Sequence, residues 1–256
     1  MQEINIRYML DIHRKKISTF LLILMSLATN KTLAQKRDKV IHQADYDAKI
    51  VHFGYFLGLS VSNYRIRFTE AYARNSSNAT SNGVVISALT SPTNTGLKMG
   101  GLMNVTLNPN FDLRIAPTVA IFNRKILVNE DSGILPSREQ AWLEIPVFLR
   151  YKSMRRGNYR MNMFGGLNMG METNAINLAN KNATRSIPGL RRADFSVEYG
   201  VGAEFFRSFF KLAPELHISH GLRNMLRPGQ SSTTVTPLSF IDRLNTHTVT
   251  FYLYFE

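Results

Sequence analysis

The chain has no cysteine. A disulfide-stapled secreted domain is therefore excluded. Acidic residues are scarce, with 18 Asp and Glu against 31 Lys and Arg and a formal net charge of +13. No run of about 20 apolar residues is present, the length needed to cross a bilayer as a helix. No segment reads as an amphipathic helix. Phosphate-binding loops, dinucleotide fingerprints, zinc-ligand spacings and nucleophile elbows are all missing. No cofactor and no enzymatic activity are expected.

The first feature actually present is an N-terminal address. His13-Arg14-Lys15-Lys16 is followed by an apolar run from Ile17 to Ala28 and then by Thr32-Leu33-Ala34. A basic region, a short apolar region and a small residue at the cut site form a secretory signal. Cleavage is expected after Ala34, with Met9 as an alternative start. The domains expected are a signal peptide over 1–34, a periplasmic segment over 35–50 and a barrel over 51–256. The removed segment carries five Lys or Arg and two acidic residues, so the exported chain keeps a charge of about +10. A basic soluble protein would suggest nucleic acid, but an exported one meets lipopolysaccharide phosphates or other envelope proteins instead.

The second feature is alternation. In Thr248 to Phe255, Val249, Phe251, Leu253 and Phe255 share one face, and Thr248, Thr250, Tyr252 and Tyr254 the other. The same period recurs over 51–65, 95–107, 111–124, 140–152, 159–171, 194–206 and 211–223. Each segment is long enough to cross a membrane as a tilted strand, which takes about 9–11 residues. The links between them alternate long and short. Residues 68–94, 125–139, 172–193 and 224–242 are long and polar, whereas 108–110, 154–158 and 207–210 are short. Outer-membrane barrels have short periplasmic turns, long outer loops and an even strand count. The expected fold is all-β, an eight-stranded antiparallel up-and-down transmembrane barrel in the outer membrane.

The distribution of charge chooses between this and a soluble calyx with an apolar interior. One face of the strands carries nearly all the aliphatics and methionines. The other carries Lys98, Asp112, Arg114, Glu144, Arg150, Arg160, Glu198, Glu204, Glu215 and His217. A cation at the midplane of a lipid face costs about 2–4 kcal/mol. The ionic face is therefore expected inside, its charges paired with one another. An eight-stranded barrel has an interior just wide enough for side chains to fill it, so a plugged barrel is expected and not an open pore. Glycines 54, 58, 100, 166, 170, 200 and 202 would make room for the long charged side chains.

Other constellations read as structural. His217 and His220 fall on opposite faces by parity and cannot chelate together, so no metal site is expected. Glu198 and Glu204 suit ion pairing better than acid–base work. Tyr55, Tyr151, Tyr159, Tyr199 and Tyr252 are candidates for interfacial girdles. Arg155-Arg156 lies in a short turn and is a candidate contact for an acidic periplasmic partner.

Three stretches carry a family likeness: Val51-His52-Phe53-Gly54-Tyr55-Phe56-Leu57-Gly58, Phe111-Asp112-Leu113-Arg114-Ile115-Ala116-Pro117, and Leu143-Glu144-Ile145-Pro146-Val147-Phe148-Leu149-Arg150-Tyr151. They resemble the PorT family of Bacteroidetes, called SprT in gliding species, over about His52 to Phe255. The resemblance implies an integral outer-membrane component of the type IX secretion system, in some species serving gliding motility as well. It implies other type IX secretion proteins as partners and no enzymatic activity. A structural or adhesive barrel, a membrane enzyme and a narrow channel are the competing readings.

Overall fold

The computed structural model describes residues 41–256 apart from 71, 73–79, 82–83, 86–88, 129–131, 134–139, 174–189 and 227–239. The expected signal peptide and residues 35–40 lie outside the described residues. The main sheet consists of β1 (Val51–Phe68), β2 (Asn94–Asn108), β3 (Phe111–Ile115), β4 (Thr118–Phe122), β5 (Gln140–Lys152), β6 (Tyr159–Thr173), β7 (Ala193–Phe206), β8 (Lys211–Gly221) and β9 (Ile241–Phe255). Pairing is antiparallel throughout: β3 and β4 each pair with β2 and β5, the other strands pair with their sequence neighbours, and β1 pairs with both β2 and β9, so the sheet closes on itself.

β3 and β4 are two halves of one stave. Val147 faces Ile115 and Glu144 faces Thr118 in a single unbroken register on β5. Met103 faces Ile115 and Gly100 faces Thr118 on β2 in the same way. The gap falls at Ala116-Pro117, where Pro117 has no N–H to give to the ladder. Side-chain alternation continues through it, with Asp112, Arg114, Ala116, Thr118, Ala120 and Phe122 all buried. The nine sheet segments thus make eight staves.

The apolar face points outward. Phe53, Leu59, Met161, Met163, Met169, Met171 and Val201 are all between 56 % and 70 % exposed, while the inward Phe56, Ser60 and Arg114 are at 2 % or less. Tyr55, Tyr151, Tyr159 and Tyr199 point out, and Tyr252 points in with only 3 % exposure. Such a surface is stable only against hydrocarbon. A charge placed on it measures that directly. Val201→Arg is expected to cost about 2–4 kcal/mol of folding free energy in lipid vesicles, read by urea titration of the folded fraction.

The two ends of the barrel differ. The short turns at 109–110, 153–158 and 207–210, the segment from Ile41 and the C-terminal Glu256 lie at one end. Buried apolar side chains form two clusters, one of Phe56, Leu102, Ala116, Ala213, Tyr252 and Tyr254 nearer the short turns and a larger one towards the other end. Tyr64, Phe122, Ile126, Trp142, Ile241 and Leu244 belong to a buried cluster there. A small three-stranded sheet of Leu89–Thr90, Leu127–Val128 and Ser132–Gly133 extends the staves on that side.

Candidate functional site

The distinctive chemistry of the molecule is inside the barrel. Register brings charged residues together before any side chain bends. Arg150 stands directly opposite Asp112, and Arg160 directly opposite Glu204. Antiparallel neighbours on one face are only about 4.5–5.5 Å apart at Cβ, so pairing follows from the ladder.

Two carboxylates form the centre. Glu215 accepts from Arg114 Nη1 at 3.1 and 2.9 Å and from Arg150 Nη2 at 3.1 Å. Glu204 accepts from Arg150 Nη2 at 2.8 Å, from Lys211 at 3.3 Å and from Arg160 Nε. Arg114 Nε also donates to Asn104 at 2.7 Å, and its guanidinium lies 4.3 Å from the centre of the Tyr254 ring. Asp112 meets Lys152 at 2.6 Å. Isolated buried charges would be prohibitive, whereas multiply paired ones are tolerated.

His217 extends the cluster. Nδ1 faces Glu198 Oε1 at 2.6 Å and Nε2 faces Glu215 Oε2 at 3.1 Å, with Phe164 and Tyr252 packed on the ring. Further up, Lys98 donates to Glu144 at 2.7 Å and Asn168 to the same oxygen at 3.3 Å. Beyond them Arg124 hydrogen-bonds Ser62 at 2.5 Å and sits 4.1 Å from the Phe122 ring centre. A cavity bounded by Lys98, Arg124, Trp142, Glu144, Asn168 and Asp194 has a volume of about 10 Å³, the space of one water.

All ten side chains assigned inward by parity, Lys98, Asp112, Arg114, Glu144, Arg150, Arg160, Glu198, Glu204, Glu215 and His217, are at 6 % exposure or below. His220 lies on the outer surface, beside Tyr199 and His247. Register sets a glycine opposite Lys98 (Gly58), Glu144 (Gly170), Glu198 (Gly166), Glu215 (Gly202) and His217 (Gly200). A Cβ at 58 would strike the Tyr252 ring, while at 166 and 200 it would strike first the carbonyl oxygens of Val147 and Leu216 and then the rings of Phe148 and Phe164. The glycines thus clear space for interior rings as well as for charges.

Sequence reasoning overlooked Lys152, Lys211, Glu256, Arg124, Tyr46 and Asp47. Parity alone could have found the first three, which share a face with Arg150, Glu215 and Tyr254. Tyr46 and Asp47 carry no strand period. They lie in a 3₁₀ turn, Ala44–Ala48, that crosses the short-turn mouth. The Tyr46 hydroxyl donates to Glu256 at 2.6 Å and accepts from Lys211 at 2.6 Å. Asp47 meets Arg160 at 2.7 Å. His52 stacks on the Tyr46 ring at 4.0 Å between centres. Arg155 donates to the carbonyls of His42 and Gln43 and covers the Phe206 ring at 3.7 Å. Arg155 is thus engaged by its own chain, whereas Arg156 is exposed.

This closure has a pH window. Burial pushes the Glu256 carboxyl up, but Lys211, Arg114 and Arg150 outweigh it and hold it down at about 2. The ionised carboxylate therefore stabilises the closed mouth fully above its ordinary 4.5, and the contribution is lost as pH falls towards about 2. Burial, Glu256 and Glu204 raise the Tyr46 hydroxyl above its ordinary 10.0. Its contribution holds up to that ordinary value and is lost above it, where a released tyrosine ionises. Amide hydrogen exchange over 44–48, corrected for intrinsic rate, is expected to be flat across neutral pH and to rise at both extremes.

A closed up-and-down sheet with an apolar exterior and an ionic interior defines a membrane β-barrel. The family described as "outer membrane protein beta-barrel domain" matches residues 33–227. The chain belongs to that family and resides in the outer membrane. Among solved structures it is similar to the outer membrane protein OprG from Pseudomonas aeruginosa, at 8 % identity and a TM-score of 0.42, covering 80 % of this chain and 90 % of that one. It is also similar to Ail, the attachment invasion locus protein of Yersinia pestis, at 8 % identity and a TM-score of 0.35, covering 79 % and 96 %. The structure of Ail in complex with the heparin analogue sucrose octasulfate matches at 10 % identity and a TM-score of 0.35, with the same coverage. No curated protein matches.

Proposed function

We propose that this barrel is a non-enzymatic component of the type IX secretion system, acting as a membrane scaffold for other secretion proteins. The observation that carries the reading is the filled lumen. Arg114 and Arg150 are fully buried across the barrel interior and bonded to Glu204 and Glu215. Cargo cannot pass through such an interior, so any part in transport is played from the surfaces. The likeness of the Val51, Phe111 and Leu143 stretches to the PorT family supplies the system. The loops 68–94 and 172–193 and the basic turn at Arg155-Arg156 are the proposed docking surfaces. Because Arg155 is bonded within its own chain, the exposed Arg156 is the member of that pair offered to a partner.

Deletion of the gene tests the reading. Cargo export is expected to fail and to return on complementation. Normal export with altered surface adhesion would favour a structural or adhesive barrel instead. In the complemented strain, Arg156→Glu is expected to lower export severalfold while the amount of folded barrel stays unchanged, measured by cargo activity outside the cell against gel mobility of the barrel.

A further inference from the structure

The outward wall of β8, β9 and β1 changes character towards the long-loop end. Leu59, Val61, Leu216 and Phe251 are outward and apolar, each exposed by 45–69 %. One row beyond Val61 and Val249, Asn63 faces His247, which also pairs across to His220. Next come Arg65 opposite Asn245 and Arg67 opposite Arg243. The opposite wall stays apolar, with Leu143 facing Met171 close to the last paired residues of β5 and β6. The basic rows just described belong to the β1 and β9 wall, and the exposed Arg192 is a separate cation beside the end of β6.

These residues line an open cleft of about 890 Å³. Arg65, Arg67 and Arg243 are exposed. Among the described residues, none of the three takes part in an ion pair. Arg243 donates to the Leu222 carbonyl at 3.1 Å. This contrasts with the lumen, where charge is matched.

We propose that this cleft binds the phosphorylated headgroup of an outer-leaflet glycolipid. The long-loop end of an outer-membrane barrel faces outward, so the three guanidinium groups stand at the headgroup level of that leaflet. Guanidinium forks bind phosphate oxygens in pairs. Arg65 and Arg67 are about 7 Å apart along one strand, close enough for long side chains to converge on one phosphate. Val61, Val249 and Ile218 directly beneath offer an acyl chain a continuous apolar track. An anionic head joined to an apolar tail matches both halves of the site. The proposal rests on outer-membrane residence and is independent of the export role.

The test is native mass spectrometry of the full barrel chain folded in detergent. The probes are bis-phosphorylated lipid A, the same lipid without phosphates, and free pyrophosphate as competitor. The triple variant Arg65→Gln/Arg67→Gln/Arg243→Gln is expected to bind lipid A about tenfold more weakly, and dephosphorylated lipid to bind the wild type as weakly. Arg207→Gln, an exposed cation at the short-turn end, is expected to change nothing. If the triple variant fails to fold by gel mobility, Arg243→Gln alone is expected to weaken binding severalfold. Retention by the folded variant to within about twofold would overturn the proposal. So would equal binding of the dephosphorylated lipid. Displacement by pyrophosphate at equal concentration would assign the cleft to a free anion instead of a lipid.

Discussion

Glu204→Gln is expected to destabilise the folded barrel by about 3–5 kcal/mol, the cost of breaking a buried ionic cluster from one side. Glu204 is fully buried and pairs with Arg150, Arg160 and Lys211. The amide keeps the shape but loses the charge, and its NH2 turns a donor towards donors. Three buried cations would then rely on Glu215, Asp47 and Glu256. The comparison is Glu144→Gln, where Lys98 is the one paired cation among the described residues and the carboxylate side chain is 9 % exposed. That change is expected to cost less than half as much. Urea titration in lipid vesicles, with the folded fraction read by gel mobility, ranks the two. Equal effects would mean that charge at Glu204 counts for no more than one ordinary pair.

The fold was legible because a barrel writes its inside and outside along every strand. A period of two assigns Lys98, Arg114, Glu144 and Arg150 to one face without knowledge of their neighbours. The alternation of long and short links orders the staves. What was not legible lay where the period stops. The break at Pro117 is invisible to parity because the alternation runs through it. The strand read as 111–124 is instead two hydrogen-bonded stretches in one register. Lys152, Lys211 and Glu256, at the strand ends, still follow the parity of Arg150, Glu215 and Tyr254 and were open to the same reading. Tyr46 and Asp47 reach the barrel from a 3₁₀ turn, whose position depends on partners more than 100 residues away in sequence. The basic cleft is an outward row that alternation places correctly, but its meaning depends on three strands meeting. Only the pairing of Arg67 with Arg243, and of His220 with His247, reveals it.

The sharpest test of the interior is a double-mutant cycle on Arg114 and Glu215. Both are essentially fully buried, and two bonds of 3.1 and 2.9 Å join them. Arg114→Met alone is expected to cost about 3–5 kcal/mol, because Glu215 and Glu256 each lose a buried partner. Adding Glu215→Met removes the stranded carboxylate and is expected to restore most of that loss. Recovery stays incomplete by about 1–2 kcal/mol, since Glu256 and the Asn104 carbonyl get no donor back from Arg114 and His217 loses Glu215. Arg150 tolerates the change because Glu204 still holds it at 2.8 Å. A coupling of about 2 kcal/mol or more is thus the signature of charges shielded from water. Simple additivity would mean that water reaches the pair and screens each charge separately. A hydrated interior would admit small ions, and single-channel recording in a planar bilayer would then show conductance. The scaffold reading would fall with the closed lumen, because it takes the outer surfaces as the parts of this barrel left to act.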